Sequence, residues 1–490
     1  MSQQQQQLQR ETSSIRPVRV LQFGQGNFLR GFFDWHVDLL NERCGLDADV
    51  VIVRPTTRST GPLLDTQGGL YTTLVRGINE AGEAVSEFRQ ITCVRREIDL
   101  RTMVDDFLAL ARDPELRFVV SNTTEAGIAV NDSDRYEDRP PLAFPAKLAR
   151  WLHERYVHFD GAARAGLVLL PCELIDDNGP VLKAAVLHFA RLWHLEAGFA
   201  EWIENACTFC STLVDRIVTG YPGEEIEAIQ AELGYRDDFL VAAEYFNLFV
   251  IEGPAWLADE LKLAGSGLNI ELVEDIKPYK QRKVGVLNGG HTVMVPVALL
   301  AGLTSVGEAM QDADVAPFLL AALHEEIIPA LPLPHEELEP FAADVLRRFA
   351  NPYIQHRLAS IALNSWAKFA ARVMPQLLAY YRANNKLPKR LVLALAATVH
   401  VYRGTLPITL GDDAAHLQWF AEAWREVDAG QWCWPRLAEE ILARQALWGR
   451  NLNEQIPELG TALAAALGQI ERDGIRRALQ VLEESQEAVA

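Results

Sequence analysis

Residues 18–54 read VRVLQFGQGNFLRGFFDWHVDLLNERCGLDADVVIVR, and this stretch decides the fold of the first half of the chain. Val18–Phe23 is a short β-prone run that ends at a glycine-rich turn. An amphipathic segment follows at 28–41, and a second apolar run follows at 50–53. Strand, glycine turn, helix and strand in this order predict a βαβ unit.

The turn at Gly24 and Gly26 has two interpretations. Glycines at the end of a strand let a diphosphate approach the backbone and the free N–H groups of the next helix. A full fingerprint would have a third glycine where this chain has Leu29, so a tight turn without a ligand is an equal alternative. Arg54 and Arg58 stand where a dinucleotide site usually has an acid, and they favour a 2′-phosphate or are solvated surface charges.

The apolar pattern changes along the chain. Short apolar runs recur at 118–120 and 167–170, with weaker ones at 248–251 and 270–273, and they predict a parallel sheet flanked by helices. Beyond residue 277 the apolar residues recur at helical spacing, including stretches at 361–378 and 391–401. We therefore expect three parts along the chain: a disordered tail at 1–16, an α/β domain at 17–276 and a mostly helical domain at 277–490.

Composition limits the possible functions. The 490 residues include 46 Lys and Arg against 66 Asp and Glu, a net charge of −20, which argues against nucleic-acid and anionic-membrane partners. The N-terminus is polar, no apolar run reaches the ~18–20 residues of a membrane span, and cysteines are few, which together predict a cytoplasmic protein. Cys207 and Cys210 form a C-x-x-C without a second pair, so we expect no redox or metal role and no bound metal.

The segment 277–291 carries the strongest chemical signal. If it is helical, Lys283, Asn288 and His291 lie within an arc of roughly 140°, beside glycines that permit the close approach of another molecule. A lysine amine can exchange a proton with an alcohol or alkoxide, while an amide and an imidazole hold the oxygen. A solvated basic helix start with a structural asparagine and histidine is the alternative.

These three residues form a Lys-x4-Asn-x2-His motif that resembles the polyol-specific long-chain dehydrogenases, the mannitol dehydrogenase family. The resemblance runs from Val20 to about Gly460. The strings that carry it are LQFGQGNFLRGF (21–32), VVIVRP (50–55), GGLYTTLVRGINEAGEAVSE (68–87), SNTTEAGI (121–128), PCELIDDNG (171–179), FCSTLVDRIVTGYP (209–222), KPYKQRKVGVLNGGHT (277–292) and NPYIQHRLASIALNSWAKF (351–369).

The resemblance implies a Rossmann-type N-terminal domain, a helical C-terminal domain and catalysis without a metal. Lys283 would be the acid/base, and Asn288 and His291 would bind the reacting oxygen. The subgroup with Val-Arg-Pro after the second strand uses NAD, so the resemblance favours NAD over NADP. The candidate cofactor-binding residues are Phe23, Gly24, Gln25, Gly26, Asn27, Phe28, Arg54, Asn122, Thr123, Glu125 and Asp215.

One departure from the family bears on the substrate. Polyol members carry Cys-Asp-Asn where this chain has Cys172-Glu173-Leu174, so the amide that contacts a hexitol is missing. A sugar acid therefore fits better than a neutral hexitol. The resemblance implies interconversion of D-tagaturonate and D-altronate, with D-fructuronate and D-mannonate, or another polyol or sugar acid, as alternatives. A non-catalytic NAD sensor and a zinc alcohol dehydrogenase are more remote alternatives.

A carboxylate needs a cation, and one predicted helix offers two. Asn364, Lys368 and Arg372 are spaced by four residues, so they are expected to share one helical face. Lys368 matches a substrate-binding position of the family, whereas Arg372 is proposed from spacing and from the fit of a guanidinium to a carboxylate. For both cations an ion-paired surface helix is the alternative. The sequence does not indicate an oligomeric state.

Overall fold

A computed structural model describes residues 6–12, 16–54, 61–123 and 127–487 of the chain. The chain divides into two compact units. The N-terminal unit consists of Met1–Gly77 and Val85–Ile276, and the C-terminal unit consists of Ile78–Ala84 and Lys277–Ala490.

The strands of the described chain all lie before residue 277. In chain order they are β1 (Val18–Phe23), β2 (Asp49–Arg54), β3 (Tyr71–Ile78), β4 (Ala84–Ile91), β5 (Val94–Asp99), β6 (Phe118–Ser121), β7 (Val168–Pro171), β8 (Thr208–Phe209), β9 (Ser211–Asp215), β10 (Val218–Gly220), β11 (Val241–Glu244), β12 (Leu248–Glu252) and β13 (Ile270–Val273).

Helices lie between these strands and continue to the end of the described chain. Up to residue 276 they are α1 (Asn27–Gly31), α2 (Phe33–Cys44), α3 (Val104–Leu110), α4 (Phe144–His158), α5 (Asn178–Leu192), α6 (Ala197–Asn205), α7 (Ile226–Leu233) and α8 (Leu257–Glu260). After it they are α9 (Lys277–Arg282), α10 (Gly289–Leu300), α11 (Val306–Gln311), α12 (Val315–Ala321), α13 (His335–Phe349), α14 (Leu358–Ile361), α15 (Ser365–Arg372), α16 (Met374–Asn384), α17 (Lys389–Val401), α18 (Ala414–Asp428), α19 (Trp434–Ala443), α20 (Gln445–Trp448) and α21 (Pro457–Glu487).

The N-terminal unit is built on a six-stranded sheet in the order β5-β2-β1-β6-β7-β8. Neighbouring strands in it are parallel. Numbered within this sheet alone, the order is 3-2-1-4-5-6, the arrangement of a Rossmann fold, whose ligands bind beyond the carboxyl ends of the strands beside the first one. The predicted α/β fold with a parallel sheet is confirmed.

The near-continuous apolar runs of β1 and β2 follow from burial on both faces of the sheet. Val20 and Ile52 belong to one apolar core, whereas Leu21 and Val53, each one position along, belong to the core on the opposite face. Successive strand residues point to opposite faces, so a sheet covered by helices on both sides needs apolar residues at nearly every position.

Two smaller sheets complete the N-terminal unit, and sequence patterning anticipated them only in part. One has the order β10-β11-β3-β4, and the other has the order β13-β12-β9. The runs at 248–251 and 270–273 are strands, but they pair with β9 and with each other outside the parallel sheet.

The expectation of a disordered tail at 1–16 is wrong for residues 6–12. The Leu8 side chain is buried, and its N–H donates to the carbonyl of Arg236 at 2.8 Å. The guanidinium of Arg10 donates to three backbone carbonyls of the N-terminal unit. One leucine and one arginine thus anchor a segment that lacks a periodic apolar face.

The region 277–487 contains no strand among its described residues, which confirms the predicted helical half. The predicted continuous helix at 361–378 is wrong, because α14, α15 and α16 are separate. Asn364 caps α15 with a left-handed backbone, φ 57°, which interrupts the helical path. A π-helical turn at Lys283–Asn288 joins α9 to α10.

The helical run Lys277–Leu300 is long and apolar enough to cross a membrane by length and composition alone. Its most apolar window is 72% buried inside the protein, which is the burial expected of a core helix.

Candidate active site

The glycine turn after β1 has the geometry of a ligand-binding loop. Gly24 adopts φ +123°, and its N–H donates to the carbonyl of Val53 at 3.0 Å. A Cβ at position 24 would lie 3.2 Å from the carbonyl oxygen of Asn122, whereas a Cβ at Gly26 would meet no atom within 4 Å. Gly24 is therefore required by the backbone, and Gly26 leaves open space beside the turn, as a bound diphosphate would need.

Side chains beneath the turn fix its shape. Gln22 donates to the carbonyl of Gly24 at 3.1 Å. Arg30 donates to the carbonyl of Gln25 at 3.1 Å and to the side-chain oxygen of Asn27 at 2.7 Å. Sequence reasoning missed Arg30. The available signal was an arginine four residues after Gly26, next to the predicted ligand loop, whereas its burial is visible only in the structure.

A buried carboxyl group lies under the same turn. Asp34 has no exposed surface and accepts a hydrogen bond from the hydroxyl of Tyr71 at 3.0 Å. Burial raises the pKa of Asp34 to about 7, because an ionised carboxylate loses its hydration there. The hydroxyl of Tyr71 also lies 2.9 Å from the carbonyl oxygen of Arg30, so this polar cluster ties β3 to α1.

The two aromatic residues of the predicted cofactor set have different surroundings. The ring of Phe23 is fully buried between Phe107 and Phe144, with ring centroids 5.7 and 5.0 Å away. Phe23 can therefore face a ligand only through its backbone. Phe28 is half-buried and stacks on Phe32 with centroids 5.1 Å apart.

The carboxyl ends of β6 and β7 are joined through Glu173. Its carboxylate accepts from the hydroxyl of Ser121 at 3.0 Å and from both the N–H and the hydroxyl of Thr123 at 2.9 Å. The side-chain amide of Asn122 donates to the carbonyl of Cys172 at 2.7 Å. Burial raises the pKa of Glu173. Glu173 thus holds the loop after β6, while predicted Glu125 lies outside the described residues.

The residue after Glu173 faces outward. Leu174 is 62% exposed, although it follows a buried strand of the main sheet. At this place, where polyol members of the resembled family carry an amide, the chain offers only an apolar side chain.

Arg54, a predicted cofactor-binding residue, is buried at the end of β2. Its guanidinium is 2% exposed and pairs with Glu97 at 2.8 Å. It also donates to the carbonyls of Gly61 and Pro62 at 2.8 and 2.9 Å. These contacts use the guanidinium N–H groups that a 2′-phosphate would need. Arg58 lies outside the described residues.

Asp215 is the last residue of β9 and is buried at the end of the three-stranded sheet. The next residue, Arg216, donates to the carbonyl of Gly31 at 2.8 Å and to that of Glu244 at 2.9 Å. The end of β9 is therefore tied to the end of α1, the short helix that follows the glycine turn.

The C-terminal unit positions the lysine, asparagine and histidine through a change of helix type. Lys283–Asn288 is π-helical, so the predicted arc of roughly 140°, which assumed an α-helix, does not apply. Bonds from i to i+5 bring Asn288 one wide turn beyond Lys283, and α10 brings His291 one turn further. π-Helical turns occur frequently at functional sites.

The glycines of this segment serve packing within the unit rather than the predicted approach of another molecule. A Cβ at Gly285 would lie 2.8 Å from a methyl carbon of Leu331, and one at Gly290 would lie 3.5 Å from the ring of Phe349. The segment is thus held closely against neighbouring helices.

His291 is 9% exposed and lies between two aromatic rings. It stacks on Phe349 with centroids 4.0 Å apart, and His356 meets it edge-on at 5.5 Å and 82°. Among the described residues its Nε2 has no hydrogen-bond partner. Burial, followed by the positive charges around it, lowers the pKa of His291 well below its ordinary value. A neutral imidazole of this kind can donate one hydrogen bond to a ligand oxygen.

Lys368 and Arg372 lie on α15 and are half-buried. Lys368 donates to the carbonyl of Ile361 at 2.8 Å, and within the described residues neither cation forms an ion pair with a carboxylate. Burial, then the charge of Arg372, lowers the pKa of Lys368. Asn364 does not share their helical face as predicted, since it is the left-handed residue that precedes the helix.

The C-x-x-C thiols are buried in the N-terminal unit. Burial raises the pKa of both Cys207 and Cys210 to about 12, and neither forms a disulfide. No group of three or more metal-ligating side chains occurs among residues 6–12, 16–54, 61–123 and 127–487.

A Rossmann sheet with an open glycine turn after its first strand is the arrangement of a dinucleotide-binding domain. The sequence profile of the mannitol dehydrogenase Rossmann domain matches residues 18–265, and that of the mannitol dehydrogenase C-terminal domain matches residues 275–470. The chain belongs to the mannitol dehydrogenase family, and the resemblance read from the sequence is confirmed.

Curated relatives match over almost the whole chain. An altronate oxidoreductase of Pectobacterium atrosepticum is 52% identical over 472 residues, which is 95% of this chain and 96% of the relative. Altronate oxidoreductases of Klebsiella pneumoniae and Escherichia coli are 52% and 51% identical, each over 95% of this chain and 97% of the relative.

Solved structures share the fold at low identity. A substrate-free D-sorbitol dehydrogenase is 20% identical with a TM-score of 0.77, covering 96% of this chain and 97% of its own. Mannitol 2-dehydrogenase of Pseudomonas fluorescens, solved as a ternary complex with NAD and D-mannitol, is 21% identical with a TM-score of 0.65, covering 98% and 97%.

Proposed function

We propose that the protein is an NAD-dependent oxidoreductase that interconverts D-tagaturonate and D-altronate. Relatives at 51–52% identity over 95% of the chain are altronate oxidoreductases, which supports this substrate pair. The observation that carries a sugar-acid substrate is the pair of half-buried cations, Lys368 and Arg372, without a carboxylate partner among the described residues.

In this proposal the two units divide the work, with 17–276 holding the nucleotide and 277–490 holding the acid/base. The open space at Gly26 and the backbone of the turn from Gly24 to Asn27 would receive the diphosphate. Bound NAD would supply the hydride acceptor. Support for NAD over NADP comes from Arg54, whose guanidinium is already occupied by Glu97 and two carbonyls.

Lys283, Asn288 and His291 would handle the oxygen. When altronate is oxidised, the carbon loses a hydride and its hydroxyl loses a proton, which the neutral amine of Lys283 accepts. The amide of Asn288 and the neutral ring of His291 donate hydrogen bonds to the oxygen while it carries negative charge. In the reverse direction Lys283 returns the proton.

We also propose that the enzyme works in the cytoplasm on a small sugar acid, without a nucleic-acid or membrane partner. All six cysteines are free thiols, as in proteins of a reducing compartment. The net charge of −20 disfavours phosphate-rich partners.

One substrate panel tests the proposal. NADH oxidation should be fastest with D-tagaturonate, slower with D-fructuronate and slowest with the neutral ketose D-tagatose, and a chelator should leave the rates unchanged. Replacing NADH by NADPH should lower kcat/KM. Faster turnover of D-fructuronate would reassign the substrate, and an equal kcat/KM with NADPH would contradict the assigned cofactor.

A further inference from the structure

His356 lies next to His291 in the C-terminal unit. Its ring meets His291 edge-on, with centroids 5.5 Å apart. It is half-buried, and its ring nitrogens have no hydrogen-bond partner among the described residues. Two adjacent imidazoles, each with a ring nitrogen that has no partner among the described residues, therefore lie together in the C-terminal unit.

The ring nitrogen Nε2 of His291 is a buried polar atom that is available to a ligand. The residue is 91% buried, and Nε2 has no partner among the described residues. Buried polar atoms in folded proteins almost always have a hydrogen-bond partner, and exceptions call for an explanation. In the proposed reaction the oxygen that gains and loses a proton would be that partner.

The surroundings of His291 are positively charged. Helix α15, which carries Lys368 and Arg372, packs against α10, and the backbone carbonyl of Arg372 lies 3.6 Å from a Cβ placed on Gly289. Lys368 and Arg372 are four residues apart on one helix, a spacing at which like charges destabilise an isolated helix. An anion between them would remove this repulsion.

The carboxylate near Lys368 is already engaged in a hydrogen bond. Asp412 raises the pKa of Lys368, but its carboxylate accepts a hydrogen bond from the hydroxyl of Tyr402. Arg348, which is buried at the end of α13, adds a further positive charge felt by His291 and His356. Among the described residues, Lys368 and Arg372 themselves form no ion pair with a carboxylate.

We propose that His356, with Lys368 and Arg372, forms the subsite that binds the carboxylate of the substrate, and that His356 discriminates sugar acids from neutral sugars. This inference rests on the proposed function. His291 would hold the reacting oxygen, and the adjacent His356 would meet the carboxylate at the far end of the substrate. A neutral imidazole donates a single N–H to a carboxylate oxygen, and the guanidinium of Arg372 offers charged donors for the other.

The variant His356→Phe tests this assignment, because it keeps a ring against His291 and removes the hydrogen bond. The ratio of kcat/KM for D-tagaturonate over D-tagatose should fall about 10–100-fold, the range for losing a hydrogen bond to a charged group. The loss should appear mainly as a higher KM for the acid, since the carboxylate is distant from the reacting carbon. Should D-tagatose turnover escape detection, inhibition constants of D-altronate and its neutral analogue D-altritol give the same ratio.

His335→Phe is the matched control. His335 starts α13 in the same unit, and its side chain is 61% exposed. This variant should leave the acid-to-neutral ratio unchanged. His356→Gln, which keeps a donor, should recover part of the loss. If His356→Phe unfolds in a thermal scan, His356→Leu, which also removes the hydrogen bond, carries the same ratio test.

The possible outcomes separate the two proposals. An unchanged ratio in folded His356→Phe overturns the subsite, and so does an equal loss with acid and neutral sugar, which would make His356 a positioning residue for His291. A wild-type enzyme that ignores D-tagaturonate overturns the proposed function instead. In that case the D-altronate and D-altritol constants of wild type and variant still decide whether His356 binds a carboxylate.

Discussion

Burial and nearby positive charge keep the imidazole of His291 neutral. Burial is the largest cause that lowers the pKa of its ring. The positive charges around it lower the pKa further, and they belong to His356, Arg348, Arg372 and Lys368. A neutral ring cannot deliver the proton that a developing alkoxide needs at neutral pH. In the proposed mechanism the ammonium group of Lys283, on the π-helical turn that precedes α10, supplies this proton instead.

We predict that Lys283→Met, which keeps the length of the side chain and removes the amine, lowers kcat about 10²–10⁴-fold. NADH affinity should persist, because Lys283 belongs to the C-terminal unit and the glycine turn to the N-terminal unit. Steady-state kinetics and NADH titration measure both. Lys386→Met, an exposed lysine between α16 and α17, is the control and should behave as wild type.

The partner variant Asn288→Ala should lose roughly 10²–10³-fold in kcat, the cost of one donor to an oxyanion. The double variant should lose less than the product of the two, since both groups act on one oxygen. Near-normal turnover by a folded Lys283→Met enzyme would remove Lys283 from the mechanism.

At the scale of elements, the β1–α1 connection separates two roles of glycine. Gly24 has a left-handed backbone and lies close to the carbonyl of Asn122, whereas Gly26 has an extended backbone and open space around it. The two positions therefore form a natural pair of variants.

We predict that Gly24→Ala lowers the free energy of unfolding by about 1–3 kcal/mol, because the backbone would be strained. Gly26→Ala should change it by no more than about 0.5 kcal/mol, yet raise the Kd for NADH, because the new methyl group enters the space left for the diphosphate. Denaturant unfolding and NADH titration measure the two effects. Unchanged NADH affinity in Gly26→Ala would argue that the nucleotide lies elsewhere.

Sequence reasoning predicted elements well where burial imposes a pattern. The apolar runs of β1, β2, β6 and β7 were visible because strands covered on both faces need apolar residues at every position. Breaks set by one backbone angle were not visible. Asn364 divides a pattern that reads as one helix, and the π-helical turn at Lys283–Asn288 leaves the periodicity of its neighbours unchanged.

The same limit applied to the site. The motif of Lys283, Asn288 and His291 was recognisable from local spacing. The contact of His356 with His291 joins positions 65 residues apart and depends on how the segment before α14 packs against α10, which no local pattern records. Glu173 was noted only as a departure from the family, while its bonds to Ser121 and Thr123 required the sheet.

For the whole molecule, stability should depend on pH through buried carboxyl groups. Asp34 in the N-terminal unit and Glu326 in the C-terminal unit each have a pKa raised by burial to about 7. The folded protein keeps these protons above the pH at which the unfolded chain releases them. The stabilisation is therefore complete below about pH 4 and is lost as the pH rises to about 7.

We predict that Asp34→Asn, which imitates the protonated acid, weakens this decline between pH 4 and 7 by up to about 4 kcal/mol. Denaturant unfolding at several pH values measures it. Glu201→Gln, at an exposed carboxylate on α6, is the control. A variant with the same slope as wild type would mean that Asp34 is ionised in the folded protein.

The buried pair of Arg54 and Glu97 limits how the enzyme could be re-engineered. A designer who wants NADPH use would normally recruit a cation at the end of β2, and Arg54 already stands there. Redirecting it to a phosphate would leave Glu97 as an unpaired buried charge, at a cost of about 3–5 kcal/mol. A change of coenzyme preference at this strand must therefore keep the buried Arg54–Glu97 pair intact so that the protein still folds. A new cation for the phosphate has to be added beside Arg54.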